Sequence, residues 1–410
     1  MTIAASAPHD AEAETRKTIG FLNWAHTLDH FVLLIFPTVV IGLEVVYQRP
    51  YSELIALSSA AFIAFGVFAL PAGWLADHWS RRNIMGAFYI GCGLSLIGCA
   101  YAPNLLWLGV GLFMLGLFAS IYHPVGMAML IEASKARGRT LAFNGVCGNL
   151  GVSLAAGISA ALAAWISYRA AFIVPGVICI VSGLVYLWVT PDDRQASKKR
   201  QTVPAVRLSM RAAAIVFGLF IVIALCGGLI FNVLTIALPK IVDERLASEV
   251  PLIVVGSVAT LVLVCGAVAQ LAIGRLVERY SPMFLFVVIT GLGFAGNLWA
   301  TYAGGGIAMM VALALAVAAI YAQVTVNDMV MARYTADAWR GRVYAVRYFL
   351  LFIGAGGAVG LIALLHKMGG FSLVMGVNAL IALVMFVATA ALWAYLQAVE
   401  VKLPMSQPAE

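Results

Sequence analysis

The chain has 410 residues, of which 63% are apolar and only 10% are charged, whereas water-soluble domains carry about 25% charged residues. This composition excludes a soluble globular protein, because a core of this size cannot hide so much apolar surface, and lipid must be the solvent. The net charge of +7 does not indicate nucleic-acid binding, since the basic residues fall in short loops between apolar runs.

The apolar runs predict a series of membrane-spanning helices, each of which needs about 20 apolar residues. Two uncharged runs are too long for one span, and they are predicted to break at Ala102-Pro103-Asn104 and at Gly304-Gly305-Gly306, where turn-forming residues cluster. The twelve predicted spans cover residues 19–44, 54–76, 83–102, 105–131, 140–165, 170–190, 212–238, 250–273, 283–302, 307–332, 343–365 and 371–396.

The distribution of Lys and Arg predicts the orientation of these spans. If both termini lie on one side of the membrane, that side holds 20 of the 25 basic residues and the other side holds 5. The bias places both termini in the cytoplasm of a bacterial-type inner membrane. The predicted domains are a cytoplasmic tail (1–18), an N-terminal six-helix bundle (19–190), a basic cytoplasmic linker (191–211), a C-terminal six-helix bundle (212–398) and a second cytoplasmic tail (399–410).

The two halves of the chain repeat one another. The loop Gly73-Trp-Leu-Ala-Asp77-His-Trp-Ser-Arg81-Arg82 is echoed 201 residues later by Gly274-Arg-Leu-Val-Glu278. Arg137-Gly-Arg139 is echoed 203 residues later by Arg340-Gly-Arg342. Two echoes at nearly the same offset, in equivalent loops, indicate a duplicated six-helix unit.

The first of these loops resembles the Gly-x-Leu-Ala-Asp-Arg-x-Gly-Arg-Arg loop of the major facilitator superfamily of transporters, with His78 in place of the first Arg and Ser80 in place of the second Gly. The resemblance implies an all-α membrane protein with twelve transmembrane helices in two pseudo-symmetric six-helix bundles. It also implies that the loop latches to the opposite half near the start of the eleventh helix. We expect Asp77 to act in this gate and Glu132 to pair with Arg81 or Arg82; the alternative is that the two arginines only set topology.

Asp29 is the most informative acid, because it lies ten residues into the first span, about 15 Å deep at 1.5 Å per residue. Helical spacing places His26, Asp29 and His30 on one face of that span, with Asn23 at its edge. An ionised group at this depth costs about 2.5–3.5 kcal/mol, so it usually has a task or a partner. This pattern predicts a functional cluster.

The fourth span carries Tyr122-His123-Pro124, and the family resemblance places His123 level with Asp29 across a central cavity. A carboxylate beside imidazoles in a partly desolvated site can titrate near neutral pH, which suits a proton-coupled carrier. The alternative interpretation is that these polar groups only satisfy one another and that Pro124 only kinks its helix.

The C-terminal half is less ionic, and Asn232, Gln323 and Asn327 are its candidates for the substrate cavity. The fifth span is rich in glycine from Gly145 to Gly157, which predicts close helix packing between the halves, with Gly354-Ala-Gly-Gly357 as its counterpart. It lacks the proline of the drug–proton antiporter motif.

The His-x-x-Asp-His pattern of the first span, together with His-Pro in an arginine-free fourth span, resembles the fosmidomycin-resistance branch of the superfamily. The expected function is therefore secondary active transport of a small organic solute by alternating access, with proton-coupled export as the leading direction. Two alternatives stay open: a divalent-metal exporter that uses the histidine and aspartate cluster as ligands, and a non-transporting membrane receptor. We expect a monomer with no cofactor, no resident metal, no nucleic-acid partner and no enzymatic activity.

Overall fold

A computed structural model describes residues 8–133, 138–190, 209–246, 250–334 and 337–400, and within these ranges the secondary structure is helical. The elements are α1 (Pro8–Tyr47), α2 (Tyr51–Ala56), α3 (Ser58–His78), α4 (Arg81–Ala100), α5 (Leu105–Ala119), a π-helical turn (Tyr122–Gly126), α6 (Met127–Ala133), α7 (Gly138–Trp165), α8 (Ala170–Val189), α9 (Met210–Leu246), α10 (Leu252–Leu276), α11 (Pro282–Tyr302), α12 (Gly306–Tyr334) and α13 (Asp337–Glu400).

Eleven helical segments of the described chain are long and apolar enough to cross a membrane. The last of them, Phe349–Val399, has 51 residues, whereas one span needs about 20. It is interrupted only at Gly369 and Gly370, whose backbone angles are not helical. The predicted count of twelve spans is therefore not confirmed, because the last two predicted spans run together as α13.

Both predicted breaks coincide with real helix ends. Between α4 and α5 the side chain of Asn104 accepts a hydrogen bond from the backbone N–H of Trp107 at 3.1 Å, which caps the start of α5. Between α11 and α12 the backbone of Gly305 (φ +134°) and Gly306 (φ +62°) adopts a left-handed conformation that favours glycine.

The fourth predicted span is not a single α-helix, because a π-helical turn separates α5 from α6. Pro124 has no backbone N–H and cannot donate to the preceding turn. The N–H of Met127 instead reaches back five residues to the carbonyl of Tyr122. Such π turns occur frequently at functional sites, and this one carries His123.

The helices form two groups, here called the N-terminal bundle (α1–α8) and the C-terminal bundle (α9–α13). In the first, α1 packs on α7 and α4 on α8; in the second, α11 packs on α12 and α13. The bundles meet where α7 contacts α10, α3 contacts α13 and α1 contacts α9.

Small residues allow this close approach between the bundles. A Cβ atom on Gly256 of α10 would lie 2.6 Å from the carbonyl oxygen of Ala156 on α7, and one on Gly356 of α13 would lie 2.6 Å from Ile63 on α3. The backbone N–H of Gly157 also donates to Thr260 Oγ1 at 3.0 Å across the α7–α10 contact.

An ion cluster joins the bundles at the ends of α1 and α9. Lys240 Nζ lies 2.5 Å from Glu44 Oε2 of the N-terminal bundle and 2.9 Å from Asp243 Oδ2 on its own helix. His366 on α13 extends the cluster, with its Nε2 2.9 Å from Glu244 Oε1. The predicted seventh span ended at residue 238, whereas α9 continues through Lys240 to Leu246.

Candidate functional site

The candidate site lies inside the N-terminal bundle, where α1 supplies three polar side chains to one face. His26, Asp29 and His30 are spaced so that they lie on successive turns of α1. The π-helical turn brings His123 against them, with its Nε2 3.3 Å from Asp29 Oδ2. Sequence reasoning placed His123 across a cavity from Asp29, whereas the structure places the two side chains in direct contact.

The three imidazole rings of this site pack together. Ring centroids are 5.0 Å apart for His26 and His30, 5.5 Å for His26 and His123, and 5.5 Å for His30 and His123. Tyr122 stacks on His26 with its ring centroid at 4.7 Å. We call these four side chains, together with Asp29, the His/Asp cluster.

Asp29 is the fully buried acid of the cluster. Its side chain is 0% exposed, and neither carboxylate oxygen makes a hydrogen bond to any described residue. An ionised carboxylate in such an environment needs a cation beside it. The neighbour in position to become that cation is His123, whose side chain is 14% exposed and so borders accessible space.

Asn144 on α7 surrounds the cluster with hydrogen bonds and was not identified from the sequence. Its backbone oxygen lies 2.8 Å from His26 Nδ1, and its side chain bonds to Asn23 Oδ1 at 3.0 Å and to the Tyr122 hydroxyl. The glycine-rich run that begins at the next residue was interpreted only as a surface for helix packing. Only the spacing from Asn144 to Gly148 and Gly151, which face α1, could have indicated it.

Glycines of α7 make room for the cluster. A Cβ atom on Gly148 would lie 2.6 Å from His26 Nε2, and one on Gly151 would lie 2.1 Å from the backbone oxygen of Thr27. Thr27 also donates to the backbone oxygen of Cys147 at 2.9 Å. The helix α1 therefore approaches α7 so closely that the positions of His26 and Asn144 depend on each other.

The polar residues predicted in the C-terminal half lie elsewhere. Asn232 on α9 donates to the backbone of its own helix at Gly228. Gln323 on α12 lines a small cavity together with Thr290 and Asn297, all within the C-terminal bundle. Asn327 is buried on the same helix as Gln323. The structure brings Asn23 and Tyr122 to the His/Asp cluster, but it places Gln323 in a separate cavity.

The predicted gating loop is partly described. Arg81 donates to Glu132 Oε2 at 3.1 Å, so the structure brings these two side chains together. Arg82 instead donates to the backbone oxygens of Thr190 (2.5 Å) and Leu187 at the end of α8. Those carbonyls are left without intrahelical partners at a helix end, and a cation stabilises them.

The structure describes only part of the predicted gate and of the repeated Arg-Gly-Arg segments. The side chain of Asp77, and the arginine side chains of segments 137–139 and 340–342, lie outside the described residues. Gly73 packs near the π-helical turn, since a Cβ atom on it would lie 3.3 Å from Pro124. Gly274 lies near the end of α10 and Glu278 in the turn that follows, and both are exposed.

One ring nitrogen from each of His26, His30 and His123 lies within 4.8 Å of the other two. Imidazole nitrogen is a good ligand for zinc, copper and nickel. The spacing between these nitrogens is wider than in a site that holds zinc. There each nitrogen lies about 2.0–2.1 Å from the metal, so two ligand nitrogens are at most about 4.2 Å apart. Small side-chain rotations would be needed for the three rings to share one ion.

A bundle of apolar helices in two groups, with an ionisable cluster buried inside one of them, defines a multi-pass membrane protein with the architecture of a solute transporter. Comparison with known proteins agrees with this class. The family profile "Major Facilitator Superfamily" matches residues 20–337. The chain therefore belongs to the Major Facilitator Superfamily, whose members are transporters of small molecules and not enzymes.

The chain is similar to the inner membrane metabolite transport protein YdjE of Escherichia coli (strain K12), with 27% identity over 135 residues, which cover 32% of this chain and 29% of that protein. Among solved structures it resembles a bacterial homolog of the human lysosomal transporter Spinster in an inward-facing, unoccupied conformation (TM-score 0.75, 14% identity, 95% of this chain and 99% of that one). It also resembles a D-xylose–proton symporter (TM-score 0.72, 13% identity, 92% and 97%).

Proposed function

We propose that this transporter exports a small organic solute in exchange for protons, by alternating access between two bundles. The observation that carries the proposal is the buried carboxylate of Asp29, in contact with His123 inside a membrane-spanning bundle. Ionisable groups at such positions are costly and typically serve as proton relays or substrate sites. The similarity in fold to a D-xylose–proton symporter is consistent with proton coupling.

In the proposed cycle, a proton enters from the outer side and binds to the Asp29 carboxylate or to the imidazole of His123. Binding changes the net charge of the His/Asp cluster by one unit and so biases the equilibrium between the two orientations of the bundles. The proton leaves toward the cytoplasm, and the solute travels in the opposite direction. Asn23 beside the cluster and Tyr122 within it would offer hydrogen bonds and an aromatic surface to the solute.

The loop after α3 would gate the cytoplasmic end. In this proposal the ion pair between Arg81 and Glu132 holds the loop in place within the N-terminal bundle. The loop then latches to the opposite half and releases it as the bundles rock, with Asp77, Gly274 and Glu278 as further members of the gate. We place the protein in a bacterial inner membrane with both termini on the cytoplasmic side, and with 19–190 and 212–398 as the two six-helix bundles. The proposed working unit is a monomer, and the proposed branch is the fosmidomycin-resistance branch that its motifs resemble.

A screen of organic solutes in proteoliposomes under an imposed pH gradient tests this proposal. The expected result is that at least one solute accumulates when the gradient is present and stops accumulating when a protonophore collapses it. Solute accumulation that is indifferent to the protonophore would contradict proton coupling. No flux of any solute would favour the receptor alternative.

A second candidate function is export of a divalent transition metal, and the three clustered imidazoles are the observation that favours it. Metal-dependent thermal stabilisation that disappears in His123→Ala would support this alternative. Solute-stimulated proton movement in vesicles treated with a chelator would count against it, because the organic antiport would then proceed without metal.

A further inference from the structure

The backbone of Asn144 makes a hydrogen bond with one defined nitrogen of the His26 ring. The contact between its backbone oxygen and His26 Nδ1 is 2.8 Å long. A carbonyl oxygen can only accept a hydrogen bond, so the hydrogen must be on Nδ1. In a neutral imidazole the other nitrogen, Nε2, then carries the lone pair. His26 therefore presents Nε2 as the atom that can accept a proton.

The side chain of Asn144 ties three elements of the bundle together. Its amide group donates to Asn23 Oδ1 at 3.0 Å and to the backbone oxygen of Leu22 at 3.4 Å, both on α1. It also bonds to the Tyr122 hydroxyl on the π-helical turn, which lies 2.9 Å from the amide nitrogen as an acceptor and 3.1 Å from Oδ1 as a donor. The residue is 1% exposed, so water cannot replace these bonds.

We propose that Asn144 is a positioning residue for the His/Asp cluster, whose side chain keeps its own backbone oxygen within reach of His26 and thereby selects the Nδ1–H form of that imidazole. The consequence for transport rests on the proposed function, but the hydrogen position does not. The titratable groups around His26 are Asp29 and His30 on α1 and Tyr122 and His123 on the π-helical turn.

The geometry of α7 supports this role. Gly148 lies one turn after Asn144 and leaves space for the ring of His26, since any Cβ atom there would lie 2.6 Å from it. The ring is thus held by a hydrogen bond at Nδ1, by Tyr122 stacked at 4.7 Å, and by the α7 backbone beside it. A ring confined in this way cannot flip to exchange its two nitrogens without separating α1 from α7.

Nitrogen-15 NMR of the histidine-labelled protein in lipid nanodiscs tests the hydrogen position. The His26 signals are assigned by their loss in His26→Gln, and the measurement is made on the neutral ring. We expect Nδ1 to carry the hydrogen and Nε2 to give the signal of an unprotonated nitrogen. A wild-type His26 with its hydrogen on Nε2 would overturn the proposal without any variant.

The variant Asn144→Ala tests the positioning role, with Asn297→Ala as the matched control. Asn297 is an equally buried asparagine of the C-terminal bundle that also donates to backbone and bonds to another asparagine. In Asn144→Ala we expect a mixture of His26 rings, some with the hydrogen on Nδ1 and some with it on Nε2. We also expect pH-driven solute transport to fall about tenfold or more, which is the scale typical when a partner that orients an imidazole in a metal site is removed. The control should leave the His26 spectrum as in the wild type.

An unchanged His26 spectrum in folded Asn144→Ala would refute the positioning role. If that variant does not fold, Asn144→Ser, which keeps a short hydrogen-bonding group, replaces it with the same expectation at smaller amplitude. A wild-type protein that shows the expected His26 spectrum, lost in Asn144→Ala, but no pH-driven transport would contradict the proposed function and leave the role of Asn144 intact.

Discussion

The close contact between α1 and α7 makes a quantitative prediction for Gly151→Ala. The added Cβ atom would lie 2.1 Å from the backbone oxygen of Thr27, whereas an unstrained carbon contact needs about 3.5 Å. The helices must therefore separate by roughly 1.4 Å, because a backbone carbonyl cannot rotate away as a side chain can. Such a shift would break the bond between His26 and Asn144, which is 2.8 Å long.

Overpacking of this kind costs typically 1–3 kcal/mol, and we expect about 3 kcal/mol here because backbone must move. Alanine gains about 1 kcal/mol over glycine in a helix, so the net destabilisation is about 2 kcal/mol. Gly145→Ala on the same helix is the matched control, since no atom lies within 4 Å of its added Cβ. That control should be neutral or stabilised by up to about 1 kcal/mol.

Thermal unfolding in detergent, followed with a thiol-reactive dye that reports on the buried cysteines such as Cys92 and Cys179, measures both variants. Gly151→Ala should melt several degrees below the wild type and lose pH-driven transport, whereas Gly145→Ala should melt at or above it. If Gly151→Ala melts as high as Gly145→Ala, the helices do not approach as closely as described and the reasoning is wrong.

Two further predictions concern ionic contacts. Lys240→Met should destabilise the protein by about 2 kcal/mol, the low end for truncating a buried charge pair. The low end is expected because the side chain of Glu44, which loses its partner, is 26% exposed. Thermal unfolding measures the loss, and a wild-type melting temperature would contradict the prediction. Arg82→Lys should cost about 1.5–3 kcal/mol, since one ammonium cannot reproduce the guanidinium fork that bonds to the end of α8 at Leu187. Arg49→Met is the control for Lys240→Met, and Arg49→Lys is the control for Arg82→Lys. The ion pair of Arg49 is exposed, and such pairs contribute about 0–1 kcal/mol to stability. A control that loses as much stability as its test variant would refute the corresponding prediction.

Much of the helical architecture could be predicted because lipid imposes a length on every apolar run. The breaks near Pro103 and near Gly305 were identified from turn-forming residues, and helices end there. The π-helical turn was not predicted, because apolar length does not show how the hydrogen bonds around Pro124 are rearranged. The merging of the last two spans was missed as well, since only backbone angles show that Gly369 and Gly370 form so short an interruption.

The candidate site was partly predictable. The spacing of His26, Asp29 and His30 follows from helical geometry alone, whereas the approach of His123 was implied only by family resemblance. Asn144 was missed because it directly precedes the glycine-rich run from Gly145 to Gly157, which was interpreted only as a packing surface. That Gln323 lines a small cavity within the C-terminal bundle could not be predicted, because depth in the sequence does not show which side of a helix faces which bundle.

The contact between Lys240 and Glu44 also could not be predicted. The two residues are 196 positions apart and belong to different bundles. No repeat or local spacing relates them, and their pairing depends on how the bundles close against each other. The same limit applies to Arg82, whose partners at the end of α8 are more than a hundred residues away.

Comparison of two transport modes in Asp29→Asn proteoliposomes tests the central claim most directly. Solute exchange at equal pH requires only that the bundles alternate, whereas accumulation against a gradient also requires proton coupling. Our account predicts that Asp29→Asn retains exchange at near wild-type rates and loses pH-driven accumulation. Full pH-driven accumulation in Asp29→Asn would show that protons couple elsewhere and would contradict the account.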